Sequence, residues 1–493
     1  MNKKIIKFYN KTNNFIDKYL IYIMLFVFFV FINFLVFSKH LNFQTYGFDL
    51  WIFDQTVYKY SSGIFPADSS IREISNMEAD HFHPILWLYA LFYKIYASPL
   101  VLLFIQNLAF VLGWLWIYKI AKFKLNIPII WFLLVFLYLI FEWNVNALLF
   151  DFHPLVVAVS LFPWLFYFSI TKKWAYYFLL LIPILLSKEN LSIYILFFGI
   201  YQFFIQKDRL VWILSFIIWG IYFYLAMNYF LPAMWWGWKY WSYDELWANP
   251  KELIINTILH PIDFLEVLFS SDIKITTYIH HLLSGLIIAI FSPVIILLIP
   301  AYAQKFLSSR EEFWTLNFHY SIDVYWIIAI WIIFVFAFLK NKFPKKYPKI
   351  LIILSLLVFV IWTFFNLRNS KLIKNRYWYY LENKKQLTDI IKSLPKNVKI
   401  STQNAVVPHM SHLNNVYIFP DLWNSDYILL NTKIDSYWPL ENKKELDKYI
   451  AKLKNKQKFI DIKMPYIKDK ISFNYKYKLI KEKNWILLFS KIK

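Results

Sequence analysis

The chain of 493 residues has no cysteine. That excludes disulfide scaffolds, thiol nucleophiles, cysteine-ligated zinc and iron–sulfur clusters, and leaves the redox compartment open. Glycine is scarce, with 7 in the whole chain, which disfavours a transporter built on unwound, Gly/Pro-rich helices at the bilayer midplane. Charge is thin too, at 17% of residues, against about 25% in ordinary soluble domains. What remains is apolar: 59% hydrophobic and 22% aromatic. Surface of that composition aggregates in water, so the chain is expected in a membrane. Its net charge of +22 suits anionic lipid headgroups. Nucleic acid is not expected as a partner, because the aromatic residues lie inside apolar runs and not among bases on a soluble face.

A spanning helix needs about 20 apolar residues. The first run, Leu20 to Phe37, follows Lys3, Lys4, Lys7, Lys11 and Lys18 and is followed by no small-residue cleavage site. It predicts an uncleaved anchor with a cytoplasmic N-terminus. Residues 38–84 then form a large external loop in which acids outnumber bases. Ile85 to Ala97 is too short to cross and predicts an interfacial or re-entrant helix. Crossings follow at Pro99–Tyr118, Ile127–Phe141, Leu155–Ile170, Trp174–Ser187, Leu191–Ile205 and Val211–Leu231, with Lys and Arg at alternate ends. The last of these leads to a Trp-rich interfacial loop holding Trp235, Trp236, Trp238, Trp241 and Trp247. Two short spans divided at Ser292-Pro293, then Ile322–Leu339 and Ile350–Phe365, bring the expectation to about eleven crossings. The predicted fold is an α-helical polytopic membrane domain, 1–366, followed by a soluble α/β domain, 367–493. That tail carries strand patterns at Val398–Thr402, Val416–Phe419 and Tyr427–Leu430, helices at Lys384–Leu394 and Leu440–Lys454, and a closing hairpin around Lys481–Asn484. It holds 26 of the 53 basic residues, but long domains escape the positive-inside bias, and the helix count places it outside.

Ionisable groups beside hydrocarbon mark function more often than chance, and here they gather in the external segments. Asp49 and Asp54 stand in Phe-Asp-Leu-Trp-Ile-Phe-Asp; His81 and His83 in His-Phe-His-Pro; Glu142, Asp151 and His153 bracket the next turn; Lys188 and Glu189 form a third. Asp151-Phe152-His153-Pro154 echoes His81-Phe82-His83-Pro84, each placing Pro at a helix start. A capping role accounts for the prolines but not for both histidines. Carboxylates with histidines suit either a divalent cation or a base with its orienting partner, and Lys188 suits a phosphate. His409 and His412 are a weaker ligand pair, while His280, His281 and His319 read as interfacial.

Phe48-Asp49-Leu50, Phe53-Asp54-Gln55, His81-Phe82-His83-Pro84, Phe150-Asp151-Phe152-His153-Pro154, Lys188-Glu189-Asn190 and Ser401-Thr402-Gln403-Asn404 together resemble a family of predicted prokaryotic membrane proteins, the domain-of-unknown-function family numbered twenty seventy-nine. That family is similar to type-C membrane glycosyltransferases. The resemblance implies a polyprenyl-phosphate-linked sugar donor, a catalytic acid in the first external loop, further acids in the second, and an external C-terminal domain. On it, Asp49 is the first candidate base, Asp54 the second, Asp151 the second-loop acid, and Lys188 the phosphate contact, with His81, His83, His153 and Glu189 binding substrate. The second loop offers Asp151-Phe152-His153 where those relatives often place two acids, so a carboxylate-pair metal site is in doubt, although a divalent cation stays open. The acceptor is undetermined. Two other classes fit parts of the sequence: a transporter or lipid flippase, for which Gln106, Asn107 and Asn228 inside apolar runs are the signal, and a non-catalytic envelope protein whose tail binds a partner.

Overall fold

The computed structural model describes residues 14–69, 76–79, 81–125, 128–230, 250–286, 292–315, 318–344, 380–434, 439–455 and 474–492, with isolated positions between them. The first helix, α1, is regular over Ile21–Leu41 and is preceded by a π turn, Ile16–Leu20. It stops where Asn42 closes back on Ser38 and Phe43 takes a positive φ of 58°. Two helices of the first loop, α2 (Ile52–Ser61) and α3 (Ile85–Tyr93), pack on each other. Helix α4 (Pro99–Leu125) starts on a proline whose missing N–H costs nothing there. Then come α5 (Pro128–Leu139), α6 (Glu142–Phe150), α7 (Pro154–Val159), α8 (Phe162–Ile170), α9 (Trp174–Leu185), α10 (Ser192–Tyr201), α11 (Arg209–Leu225), α12 (Pro250–Leu259), α13 (Pro261–Leu268), α14 (Asp272–His281), α15 (Leu298–Phe306) and α16 (Ile322–Lys342).

Among the described residues, four helices are long and apolar enough to cross a bilayer: Ile16–Leu41, Pro99–Leu125, Arg209–Phe230 and Ile322–Lys342. A fifth span forms if Ile130–Leu139 and Glu142–Phe150, bent by 44°, count as one. Pro154–Ile170, Trp174–Leu185 and Val294–Phe306 are shorter apolar helices. The eleven expected crossings are therefore not reproduced, and the reason is local. Apolar runs that read as single spans form helices shorter than a bilayer span: Pro154–Ile170 has a turn at residues 160–161, and Trp174–Leu185 is shorter still. Glu142, expected in an external turn, instead opens α6, whose Val145, Leu148 and Leu149 are buried in the bundle. The Trp-rich loop and most of the Ile350–Phe365 crossing lie outside the described residues.

Helix α16 is the bundle's central post. Every residue from Ile322 to Ile333 is buried, as expected of a helix apolar on all sides. Helix α11 is the opposite case: it buries Val211 and Ser215 and presents Ile213, Phe216, Ile217 and Ile221 outward. Close packing on α16 requires a glycine. A Cβ on Gly113 would stand 2.8 Å from both Ser160 O and the Trp326 ring. At the far end, Lys122 pairs with Asp17 at 2.5 Å and Lys340 caps Leu125 O at 3.0 Å, so the basic residues expected to be cytoplasmic gather there.

The C-terminal residues form an α/β unit. Helix α17 (Lys384–Ser393) is followed by β1 (Lys399–Thr402), β2 (Asn415–Ile418), β3 (Tyr427–Asn431), helix α18 (Lys443–Lys454), β4 (Tyr477–Lys483) and β5 (Ile486–Lys491). The sheet order is β2-β1-β3-β5-β4, with β1 parallel to both neighbours and the other pairs antiparallel. Strands β3 and β5 are apolar on both faces because both are covered. Ile428, Leu430, Leu487 and Phe489 face a cluster with Leu446 and Ile450 of α18. Leu429, Ile486 and Leu488 face a second cluster, which contains Phe43, Trp51, Ile52 and Met77 of the first loop. The first loop and the tail thus share one hydrophobic core at the same end of the bundle.

Gly113→Ala should destabilise the bundle by about 1–3 kcal/mol, since one of the clashing atoms is backbone and cannot rotate away. A lowered unfolding midpoint in detergent, with the C-terminal unit unaffected, is the expected result.

Candidate functional site

The first loop leaves α1 through a run of tight turns. Within Gly47–Trp51, Asp49 has φ 73° and ψ −80°, and its carbonyl accepts from Ile52 N–H. That geometry is the strained γ-turn with positive φ. A non-glycine residue persists there only when its surroundings enforce it, at a cost of order 1–3 kcal/mol. Here the enforcement comes from the tail: Gly47 N–H donates to both Asn404 Oδ1 at 2.7 Å and Asn404 O at 3.1 Å. Asp49 itself is half-buried.

Asp54 has a different setting. It lies in the first turn of α2, fully buried. The Tyr93 and Ser411 hydroxyls donate to its two carboxylate oxygens, and His412 Nε2 stands 3.7 Å from Oδ2 while its ring stacks on Tyr58 at 3.9 Å. The carboxylate therefore joins α2, α3 and the tail.

Asp151 is held between the first loop and the bundle. Lys39 Nζ pairs with Asp151 Oδ1 at 2.9 Å and also donates to Leu149 O and Phe150 O. Tyr46 N–H donates to Oδ2 at 3.0 Å. Burial pushes the Asp151 carboxyl up to about 6 against the opposing pull of Lys39. Two residues on, His153 Nδ1 accepts from Leu155 N–H at 3.1 Å, the N-cap of α7. That bond makes Nδ1 an acceptor, so the neutral ring carries its proton on Nε2. Gln106, from inside α4, donates to Asp151 O at 3.1 Å and accepts from His153 N–H at 2.8 Å.

The remaining candidates converge on His153. His81 Nδ1 lies 2.9 Å from Glu189 Oε1, and Phe82 N–H donates to Glu189 Oε2 at 3.1 Å. His83 Nδ1 donates to Ser187 O, which leaves its Nε2 as a bare lone pair. Phe53, the second residue of α2, packs edge-on to His83 and His153 at 5.7 and 5.4 Å, linking the segment after the Asp49 turn to this group. His153 stacks on His319 at 4.0 Å. The buried His83 Nε2 and both ring nitrogens of His319 have no hydrogen-bond partner among the described residues. Lys188 is buried beside them. Burial holds His83 and His319 near 3, with Lys188 adding to the depression of each, and burial, His319 and Lys188 together hold His153 well below its ordinary range. For Glu189, burial acts upward, but His81 and Lys188 outweigh it and hold the carboxyl below its usual range. Glu78 is the opposite case: it accepts from His83 N–H at 2.8 Å and Tyr60 Oη at 3.0 Å, yet burial raises it to about 7.

A family model described as "Predicted membrane protein (DUF2079)" matches residues 39–462. The chain belongs to this family. The match runs from Lys39 through most of the C-terminal unit and so contains every residue of the site. No curated protein matches by sequence. Among solved structures, the DUF2079 chain is similar to ArnT from Cupriavidus metallidurans bound to undecaprenyl phosphate, at 9% identity over 94% of this chain and 97% of that one, with a TM-score of 0.48. It is also similar to the Archaeoglobus fulgidus oligosaccharyltransferase tethered with an acceptor peptide, at 11% identity over 85% and 70% of the two chains and a TM-score of 0.44. A third likeness is AglB from the same organism in complex with an inhibitory peptide and a dolichol-phosphate, at 11% identity, 85% and 70% coverage and a TM-score of 0.37.

The structure brings His81, His83, His153, Lys188 and Glu189 of the DUF2079 chain into one cluster, joins Asp151 to it through His153, and reaches Asp49 through Phe53. Asp54 is enclosed apart, at the junction with the tail. His409 and His412 are separated: His409 stacks between His40 and Phe43 at 4.3 and 3.8 Å, and His412 lies on Tyr58. Among the described residues no group of three or more His, Asp or Glu is arranged to hold a metal ion. His280 and His281 stand away on α14, edge-on to Trp143 and bonded to Tyr302 respectively. Sequence reasoning missed Lys39 and Glu78, reads Gln106 only as a transporter signal, and places His319 at the interface. Lys39 carried a signal, a lysine at the end of a helix expected to face outward, where the charge bias disfavours it.

Lys39→Met should leave Asp151 buried and unpaired and cost about 3–5 kcal/mol, with most of the loss recovered in Lys39→Met/Asp151→Asn; unfolding of the three proteins in detergent checks this. Glu78 gives a pH signature. Because its folded value is raised, the folded chain holds a proton there that the unfolded chain has lost between about pH 4.5 and 7, so its contribution falls as pH rises through that window. The stability of Glu78→Gln relative to the parent should therefore rise from pH 4.5 to 7 and stay flat below.

Proposed function

We propose that the chain is an integral-membrane glycosyltransferase that moves a sugar from a polyprenyl-phosphate carrier to an acceptor on the extracytoplasmic side. The observation that carries this reading is a buried group of imidazoles beside Lys188, in which His83 Nε2 and both ring nitrogens of His319 have no hydrogen-bond partner among the described residues, together with the half-buried carboxylate of Asp49 in the turn that leads into α2. A carboxylate on the loop that leads into a pocket holding one ammonium, Lys188, and one imidazole N–H, that of His153, at the end of a lipid-embedded bundle suits displacement at a lipid-linked anomeric carbon. The gathering of Lys122, Lys124, Lys340 and Lys342 at the other end supports the outward side for the site.

In this mechanism Asp49 accepts the proton of the acceptor hydroxyl as its oxygen attacks the anomeric carbon. The bond from that carbon to the phosphate oxygen breaks, and its electron pair leaves with the lipid phosphate. Lys188 and the Nε2–H of His153 stabilise the growing charge of the leaving group, in a site dry enough for such contacts to count strongly. Glu189 and His81 fix the turn that carries Lys188. Asp151, neutralised by Lys39, holds the second loop in place. No step is assigned to a metal.

Transfer of labelled sugar from polyprenyl-phosphate donors to a membrane extract, catalysed by the purified protein, tests this. Asp49→Asn should lower turnover by at least about 10²-fold, while Lys188→Ala, which removes a contact that strengthens as the leaving group gains charge, should lower kcat as well as raise KM for the carrier. Turnover unchanged in Asp49→Asn, or no turnover and no carrier binding across a broad donor panel, would overturn the proposal.

A further inference from the structure

The first loop and the C-terminal unit meet through more than a shared apolar core. Gly47 N–H is held by the side chain and carbonyl of Asn404. Gln55 Nε2 donates to Leu413 O at 3.0 Å, and Leu381 N–H donates to Asn42 Oδ1 at 3.2 Å. Ser411 donates to Asp54, and the His409 ring lies between His40 and Phe43. These contacts fall on both sides of the Gly47–Trp51 turn, and the Val407–His409 turn packs directly on it. Asn404 is buried. Its two acceptors fix the amide two residues before Asp49, the only residue of that turn with positive φ.

We infer that Asn404 is a positioning residue for Asp49, and that the C-terminal unit is thereby a working part of the membrane site and not an appended module. This rests on the function proposed above, because it is the placement of the Asp49 carboxylate that the clamp would serve. A turn in a sparsely populated conformation reverts to an ordinary one when its anchor is removed. Without the Asn404 side chain the carboxylate would move relative to Lys188 and the imidazoles, while the residues that bind the carrier would stay where they are. The effect should therefore appear in the chemical step and not in carrier affinity.

Two measurements on the full-length protein separate the clamp from the proposed chemistry. The first is hydrogen exchange of the peptide covering residues 46–51, in the parent, Asn404→Leu and Asn404→Asp. Loss of one anchoring acceptor should speed exchange on the order of tenfold in Asn404→Leu, while Asn404→Asp, which keeps an oxygen at the Oδ1 position, should stay close to the parent. Unchanged protection of β1 in the same samples shows that the tail has remained folded. The second is the transfer assay: Asn404→Leu should lower kcat on the order of ten- to a hundredfold with KM for the carrier unchanged, and Asn404→Asp should recover most of it. Exchange at 46–51 that does not change in Asn404→Leu overturns the clamp whatever the protein transfers. Exchange that responds as expected in a protein that transfers nothing keeps the clamp and overturns the function.

Discussion

A lysine and an aspartate, both buried away from water and each costly to bury without the other, hold the functional end of this protein together. Lys39 closes the first spanning helix and Asp151 opens the second loop; each is buried, and each is costly to bury unpaired. Lys39 also takes the two carbonyls that end α6, and Asp151 takes an amide of the first loop, so the pair satisfies a helix C-terminus and a loop backbone at once. The tight turns from Asn42 to Asp49 begin from this pair. The imidazole cluster depends on it as well, because His153 follows Asp151 by two residues and Gln106 of α4 grips both. A neutral pair of similar size would fill the space but would not supply the three donor contacts of Lys39 and the two accepting oxygens of Asp151 in these directions.

The cluster beyond that pair is built from groups whose ordinary charges are suppressed. His83, His153 and His319 are kept neutral by burial and by a nearby ammonium, while Glu189 is kept ionised by His81 and Lys188. Such opposed environments over a short distance are how a site keeps acceptors, donors and charges distinct at one pH. Glu78, its carboxyl raised by burial and bonded to the His83 backbone, sits at the edge of this arrangement on the loop side.

Much of this was legible in the sequence, and what was not has identifiable causes. The strands of the tail announced themselves because apolar residues ran between turn signals; Tyr427–Asn431 and Ile486–Lys491 needed only the recognition that both faces were covered. The candidate residues His81, His83, His153, Lys188 and Glu189 stood out because charge beside hydrocarbon is rare. The expected count of about eleven crossings is not confirmed among the described residues, because in a chain so apolar hydrophobicity does not mark where a helix bends, as it does between Leu139 and Glu142. His319 was invisible because its importance lies in a ring stacked on His153 across a large gap in sequence. Asp54 read as a second acid beside Asp49, but five residues on a turn and a helix send the two carboxylates to different surroundings, one half-exposed and one sealed by Tyr93 and Ser411.

The core shared by the first loop and the C-terminal unit also orders events in time. Gly47 and its partner Asn404 are separated by 357 residues, as are Asp54 and Ser411. At ordinary synthesis rates that gap corresponds to roughly 20 to 70 s, during which Phe43, Trp51, Ile52 and Met77 have no protein to cover them. The nearby bilayer surface is the available shelter, and the aromatic character of the loop suits that waiting position. The site is then completed by a segment that emerges long after the loop, which must arrive on the loop's side of the membrane. A chain stopped before residue 400 would insert its helices and still leave the turn around Asp49 unformed.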